Sequence, residues 1–347
     1  MAPPEQPLRG IVVGLGVMGS HHVRVLRSLL DCTVVAVVDP DDERRAGYRT
    51  ADGAIAAHAT LTDALEAHEA DFACIAVPVD RLAENAREAL EAGLAVLVEK
   101  PIAPTEAEAE ELIRYAEERG LLLSVGHVER FNPAVVVLKQ KLADDALGRI
   151  YQLHARRLSP YPHRGTLSGV SLDLATHDLD VMRHVTGKEV VRVFAETADR
   201  GADGIEDLVC ASLRFEDDST GLLEVNWLTP TKVRELTVTG ERGMFVVDYL
   251  VQDLRFYEHP RAAIEWETLG VVRGIGEGDM IRYAIPRREP LVVQWEAFLA
   301  ALGSGGPPPV PGREGLAALS IATAIRQSGR EHEPVAPSYV RARAPSG

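Results

Sequence analysis

Hydrophobic positions change their period near Phe131. Before it, short continuous apolar runs alternate with amphipathic stretches. Arg9–Gly14, Thr33–Asp39 (TVVAVVD), Asp71–Val77 (DFACIAV), Ala95–Glu99 (AVLVE) and Leu121–Val125 read as strands. Met18–Leu30, Asp80–Ala92 and Thr105–Arg119 read as helices, the last stopped by Gly120. Strands that are apolar throughout are buried on both faces, and intervening helices make such a sheet parallel. After Phe131 the period falls to two. Arg149–Leu158, Val190–Thr197, Asp207–Phe215, Thr220–Trp227, Glu235–Thr239 and Met244–Tyr249 alternate apolar with polar residues. Turn signals such as Asp217-Asp218 and Gly240-Glu241-Arg242-Gly243 lie between them. This predicts an open, mainly antiparallel sheet. One helix, Ser171–Thr186, interrupts it. Two more, about Pro290–Leu302 and Glu314–Ser328, follow and are joined by a Pro/Gly-rich surface loop, Gly303–Gly312.

The two patterns divide the chain into an α/β domain, residues 1–128, with a doubly wound parallel sheet, and an α+β domain, residues 129–347. A length of 347 residues suits two cores better than one. The net charge of −15 excludes nucleic acid and anionic membrane as partners. Cys32, Cys74 and Cys210 lie far apart in apolar runs, which predicts free buried thiols rather than a disulfide framework or a cysteine zinc site. No metal is expected. Residues Met1–Pro7 show no basic region followed by an apolar run, and no apolar stretch nears the ~20 residues that span a bilayer. A cytoplasmic protein is expected.

Gly14-Leu15-Gly16-Val17-Met18-Gly19 is a G-x-G-x-x-G that follows a strand and opens a helix. The first glycine permits the tight turn. The second lets a pyrophosphate approach the backbone, and the third lets helix and strand pack closely. The helix N-terminus then faces the pyrophosphate. Asp39 ends the second strand 20 residues past Gly19, where an acid binds the adenosine ribose. With Asp41, Asp42 and Glu43 beside it, Asp39 repels a 2′-phosphate, so NAD is expected over NADP. Arg44 and Arg45 oppose that reading if either folds back. The first domain is therefore predicted to be of Rossmann type.

Glu99-Lys100-Pro101 ends a buried strand at the sheet edge where ligands bind. The Lys100 ammonium there could hydrogen-bond a substrate oxygen and stabilise charge developing on it, or simply extend to solvent. Asp173 and His177, spaced i, i+4, share one helix face. An imidazole can take an alcohol proton as hydride leaves the same carbon. The residues leave open whether His177 or Lys100 is the base, and whether the pair serves only the helix surface.

Together these residues resemble the Gfo/Idh/MocA family of sugar and cyclitol oxidoreductases, over nearly the whole chain. The resemblance implies catalytic roles for Lys100, Asp173 and His177, and a cis peptide between Lys100 and Pro101. It also implies cofactor contacts from Val77, Pro78 and Glu99 as well as Gly14, Gly16, Val17, Met18, Gly19, Asp39 and Lys100. Many members carry T-P-x-x-x-H where this chain has Val77-Pro78-Val79-Asp80-Arg81-Leu82, so no side-chain hydrogen bond is implied there. Gly126–Pro133, Arg156–Pro162 and Asn226–Lys232 are similar to the branch that oxidises nucleotide sugars at C3, the UDP-N-acetylglucosamine 3-dehydrogenases. In that reading Arg156, Arg157, Tyr161, Arg164, Trp227 and Lys232 join Lys100, Asp173 and His177 in binding substrate, the cations meeting phosphate. A sugar-phosphate or cyclitol dehydrogenase, and a non-catalytic NAD-binding regulator, are the alternatives. Family members pair through the uncovered sheet face, which implies a homo-oligomer, dimer or tetramer.

Overall fold

The computed structural model describes residues 6–49, 55–162, 168–201, 204–260 and 278–341. The first half builds β1 (Leu8–Val13), α1 (Val17–Leu26), β2 (Cys32–Val38), α2 (Asp42–Arg49), β3 (Ala56–His58), α3 (Leu61–Ala67), β4 (Phe72–Ile75), α4 (Val79–Glu91), β5 (Ala95–Val98), α5 (Glu106–Arg119) and β6 (Leu123–Val125). All five pairings are parallel, in the order β3-β2-β1-β4-β5-β6. The expected doubly wound sheet is thus present, and its order reverses between β1 and β4. The loops after those two strands are where such sheets bind ligands. Every residue of β4 is fully buried, the apolar run being covered on both faces. Elements α2, β3 and α3 were not anticipated. The DERRAGYR sequence of α2 buries only Arg45, and β3 has three half-buried residues, so neither leaves an apolar period.

The second half contributes a short 3-10 turn (Val128–Phe131), α6 (Pro133–Ala143), β7 (Ile150–Leu158), a π turn (Ser171–Ala175) leading into α7 (Thr176–Thr186), β8 (Val190–Ala198), β9 (Leu208–Phe215), β10 (Thr220–Asn226), β11 (Val233–Gly240), β12 (Gly243–Asp248), β13 (Asp253–Glu258) and β14 (Met280–Arg282). The strand order is β14-β13-β12-β11-β7-β10-β9-β8. Only the β7–β10 pairing is parallel; the rest are antiparallel. The mainly antiparallel expectation holds. Helix α6 was not foreseen because its Val135-Val136-Val137 run is β-branched. It forms because Asn132 caps Ala134 N–H, Pro133 opens the first turn, and Val135 and Leu138 are fully buried.

The two faces of this sheet differ. Leu153, Ala155, Val209, Leu213, Leu223, Val225, Leu236 and Val238 are buried on one, against which α6, α7 and the π turn pack. Their strand neighbours, including His154, Arg156, Ser212 and Leu222, lie on the other face. There Phe194 is 40% exposed. Cys210 is exposed on that face too, so the expectation of three buried thiols holds only for Cys32 and Cys74.

The chain divides into one unit of Met1–Val128 with Glu289–Ser320, and another of Glu129–Arg288 with Ile321–Gly347. The break falls at Val128, and residues 289–320, expected in the second domain, cluster with the first. Helix α8 (Pro290–Ser304) places Leu291, Trp295, Phe298 and Leu299 in the same core as Val12, Val25, Phe72 and Leu97. The rings of Phe72, Trp295 and Phe298 meet at 5.3–5.9 Å. The Pro/Gly-rich segment that follows is more than a surface loop. Val310 is fully buried, its carbonyl accepts Val125 N–H at 3.0 Å, and it covers the β6 edge. Helix α9 (Gly312–Glu331) then begins in the first unit and ends in the second.

Candidate functional site

In the first unit the glycine turn joins β1 to α1. Gly14 has φ +91°, and a Cβ there would lie 2.4 Å from the Ala76 carbonyl. A Cβ on Gly19 would lie 1.7 Å from the Gly14 carbonyl. One on Gly16 meets nothing within 4 Å. Two glycines are therefore required by packing, and the third keeps the α1 N-terminus open, which fits a pyrophosphate. Val17 and Met18 are exposed beside it. Ala76 and Val77, ahead of Pro78 at the start of α4, back the turn.

Asp39 stands at the end of β2 and is almost wholly buried. Its Oδ2 accepts Leu15 N–H at 2.7 Å and its Oδ1 accepts Asp41 N–H at 2.9 Å, so it also fastens the glycine turn. Arg45 donates to the Asp39 carbonyl and to Asp42, and is spent there. Arg44, half-exposed, reaches Asp39 Oδ2 at 3.4 Å and Asp41 at 3.5 Å. Of the two arginines set against the NAD reading, only Arg44 could turn toward a ribose phosphate. The turn, Asp39 and the open α1 N-terminus together fit an adenine dinucleotide.

Lys100 follows β5, and its peptide to Pro101 is cis. The preceding Glu99 is buried and anchors the strand end. Its Oε1 meets His22 Nε2 at 2.9 Å, and its Oε2 accepts Lys100 N–H at 3.2 Å. Trp295 Nε1 donates to His22 Nδ1 at 2.9 Å. Burial opposes a charge on His22, while Cys74 and Glu99 draw its pKa upward. The indole is a donor only, so Nδ1 must accept. We assign the neutral ring, donating from Nε2 to Glu99. A Cβ at Gly126 would lie 2.9 Å from Glu99 Oε1, so that glycine makes room for the carboxylate. Sequence reading missed this Trp295–His22–Glu99 chain, whose members are 273 and 77 residues apart. Glu99 thus serves the strand end as an anchor.

In the second unit Asp173 sits in the π turn and His177 in the first turn of α7. From Ser171 to Val185 every residue is buried except Asp173, His177 and His184. The helix thus presents one accessible stripe carrying Asp173 and His177. π turns recur at functional sites. The hidden side of α7 carries other carboxylates. Asp178 pairs with Arg157 at 2.6 and 3.1 Å, and Asp180 with Arg130 at 2.5 and 2.8 Å.

Several expected substrate residues take other positions. Arg157 is 4% exposed, and its guanidinium also meets Glu129 at 3.1 Å. Burial alone would lower its pKa, but Asp178 and Glu129 more than reverse that. Its charge is already answered, which corrects the phosphate role. Arg156, its strand neighbour, points to the sheet face opposite α7 and pairs with Glu224 at 3.2 Å. Alternation along β7 therefore removes it from the face that carries α7. Trp227 is buried and meets Tyr161 edge-on at 5.7 Å. Asn226 Oδ1 accepts Leu228 N–H, Thr229 N–H and the Thr229 hydroxyl, so this motif first of all builds a turn. Lys232 is exposed in that connection. Arg164 lies outside the described residues.

One cation was missed. Arg234 on β11 shares the covered face with Leu236 and Val238, in register with Arg157. Its Nη1 donates to the Leu158 and Val233 carbonyls at 2.8 and 3.0 Å. Period two, counted back from Leu236, would have found it. Among the described residues no group of three metal-ligating side chains occurs, and no helix is long and apolar enough to cross a membrane.

Two family models match the chain. An oxidoreductase family with an NAD-binding Rossmann fold covers residues 8–127, and the GFO/IDH/MocA C-terminal domain covers residues 135–246. The chain is 29% identical to UDP-N-acetylglucosamine 3-dehydrogenase of Acidithiobacillus ferrooxidans, over 92% of this chain and 96% of the other. It is also 29% identical to inositol 2-dehydrogenase 2 of Saccharopolyspora erythraea, over 91% of each. The solved structure of the Acidithiobacillus enzyme superposes with a TM-score of 0.82 at 26% identity, covering 93% of this chain and 97% of that one.

Proposed function

Because the chain belongs to the Gfo/Idh/MocA family of NAD-dependent CH–OH dehydrogenases, we propose that it oxidises the C3 hydroxyl of a nucleotide sugar, UDP-N-acetylglucosamine or a near relative, to a 3-keto sugar. The observation that carries this reading is the accessible Asp173–His177 stripe on a helix otherwise buried from Ser171 to Val185. Asp173 and His177, with His184, are the residues of that run that are not buried, and an aspartate and an imidazole one helical turn apart can together bind and deprotonate a ligand hydroxyl. NAD, held by the Gly14–Gly19 turn and Asp39, supplies the hydride acceptor.

His177 takes the hydroxyl proton. Asp173 orients the imidazole or binds a neighbouring hydroxyl. Lys100, carried rigidly at the anchored end of β5, hydrogen-bonds the oxygen on which charge develops. With Arg156 and Arg157 committed elsewhere, Tyr161, Arg164, Trp227 and Lys232 remain beside Lys100, Asp173 and His177 from the expected substrate set. That loss is also what favours the second reading, oxidation of an uncharged cyclitol, along with the equal identity to an inositol dehydrogenase.

Mixing the protein with NAD and a panel of UDP-sugars, dTDP-sugars, sugar phosphates and inositols, and following NADH absorbance, tests it. Reduction with UDP-N-acetylglucosamine supports the reading; a signal with myo-inositol alone overturns it. The uncovered face around Phe194 and Leu222 is the surface through which copies would associate as a dimer or tetramer. A monomeric mass by light scattering refutes that part. Free Cys32, Cys74 and Cys210 suit a reducing cytoplasm.

A further inference from the structure

The covered face of the second sheet holds two guanidiniums in register, Arg157 on β7 and Arg234 on β11. Their situations differ. Arg157 is enclosed by Asp178 and Glu129 at 2.6–3.1 Å. Arg234 is half-buried, and among the described residues no carboxylate comes within ion-pair distance of it. Its Nη1 is fixed to the carbonyls of Leu158 and Val233. The same residues accept nothing from its Nε or Nη2. A guanidinium clamped by one nitrogen presents the others as a pre-oriented fork, the geometry that receives an oxyanion bidentately.

The surrounding charge agrees. The groups that act on Arg234 are Arg157, Asp178, Glu129 and Asp173. Asp178 and Glu129 both pair with Arg157, and their charges also act on Arg234. Asp173, on the stripe with His177, also acts on Arg234. Burial, then the like charge of Arg157, pushes the Arg234 pKa down to about 10. A partly desolvated guanidinium that no carboxylate among the described residues contacts directly can gain charge-assisted hydrogen bonds from a ligand oxyanion.

We propose that Arg234 is a specificity-determining residue that binds an oxyanion of the substrate beside the Asp173–His177 stripe. This rests on reading that stripe as the reacting site. Phosphate and carboxylate share the required chemistry, so the oxyanion is either the diphosphate of a nucleotide sugar or a carboxylate on the sugar ring.

Titration calorimetry with NADH present, using UDP and glucuronate as probes, separates these. The proteins are wild type, Arg234→Met, Arg234→Lys and, as a control on the opposite face, Arg156→Met. Arg234→Lys keeps the charge and covers the case in which the methionine variant does not fold. A tenfold or greater weakening of UDP in both Arg234 variants, with unchanged melting temperature and an unaffected Arg156→Met, assigns the diphosphate. The same loss confined to glucuronate assigns a ring carboxylate. If wild type binds glucuronate through Arg234 but no UDP, the nucleotide-sugar reading falls while Arg234 keeps its role. Folded Arg234 variants that bind both probes as wild type does overturn the proposal, even where UDP-sugars are turned over. Wild type that binds neither probe overturns it too.

Discussion

The glycine turn of the first unit and strand β7 of the second carry equally short motifs, yet consecutive residues mean opposite things in them. In the turn, Gly14, Gly16 and Gly19 act on one small volume, two by packing and one by staying open. On β7, Arg156 and Arg157 are neighbours in sequence and lie on opposite sides of a sheet. One faces Glu224 and solvent; the other closes a buried network with Asp178 and Glu129. A loop that opens a helix gathers its residues toward one point, whereas a strand parts them. A cluster of charges in sequence is therefore a cluster in space only in the first case.

The sharpest test of the comparison asks whether chemistry follows the stripe and the strand end. Lys100→Met and His177→Ala should each lower kcat by about 10²–10⁴-fold, the range of a positioned acid or base. NAD affinity, read by fluorescence titration, should stay near wild type for His177→Ala and change far less than kcat for Lys100→Met, because the glycine turn and Asp39 remain to hold the dinucleotide. Near-normal turnover in both variants would sink the catalytic assignment.

The arginine pair comes next. Arg157→Met leaves Asp178 buried without its counter-ion and should cost about 3–5 kcal/mol of stability. Arg156→Met removes a pair whose side chains are 39% and 36% exposed, and should cost at most about 1 kcal/mol. Urea unfolding of the two variants measures the contrast. Equal losses would mean that the two faces are not different environments.

The anchor behind Lys100 gives a smaller effect. Trp295→Phe keeps the aromatic packing against Phe72 and Phe298 but removes the donor to His22 Nδ1. A buried acceptor left unsatisfied costs about 1–3 kcal/mol. Denaturant midpoints should move accordingly. An unchanged midpoint would show that His22 does not depend on that bond.

These contrasts explain what the sequence could convey. The parallel sheet was legible because runs such as DFACIAV are buried on both faces and need no partner to be identified. The glycine turn and Asp39 were legible because their spacing is set by local geometry. Helix α2 was not, since it buries a single arginine. Helix α8 was visible as a helix but not as part of the first core, because nothing in residues 290–304 says which sheet they cover. At the candidate site, the stripe of Asp173 and His177 was readable from i, i+4 spacing. Arg157 was misread because its partners Asp178 and Glu129 are distant in sequence. Arg234 was overlooked because period two was not extended back from Leu236, and because the register that sets it opposite Arg157 is fixed by the pairing of β11 with β7.

The smallest effect concerns Arg44, the residue where the first unit comes nearest to the ambiguity of the second. It lies 3.4 Å from Asp39 Oδ2 and 3.5 Å from Asp41 Oδ2, with its side chain 54% exposed. If it screens Asp39, Arg44→Ala strengthens the repulsion of a 2′-phosphate, and the preference for NAD over NADP should rise. Exposed pairs of this kind are worth about 0.2–1 kcal/mol, which is at most about a fivefold change. The ratio of kcat/KM with NAD to kcat/KM with NADP reads it directly, and raising the salt concentration should shrink the difference. A fall in that ratio would mean that Arg44 opposes NADP rather than screening Asp39.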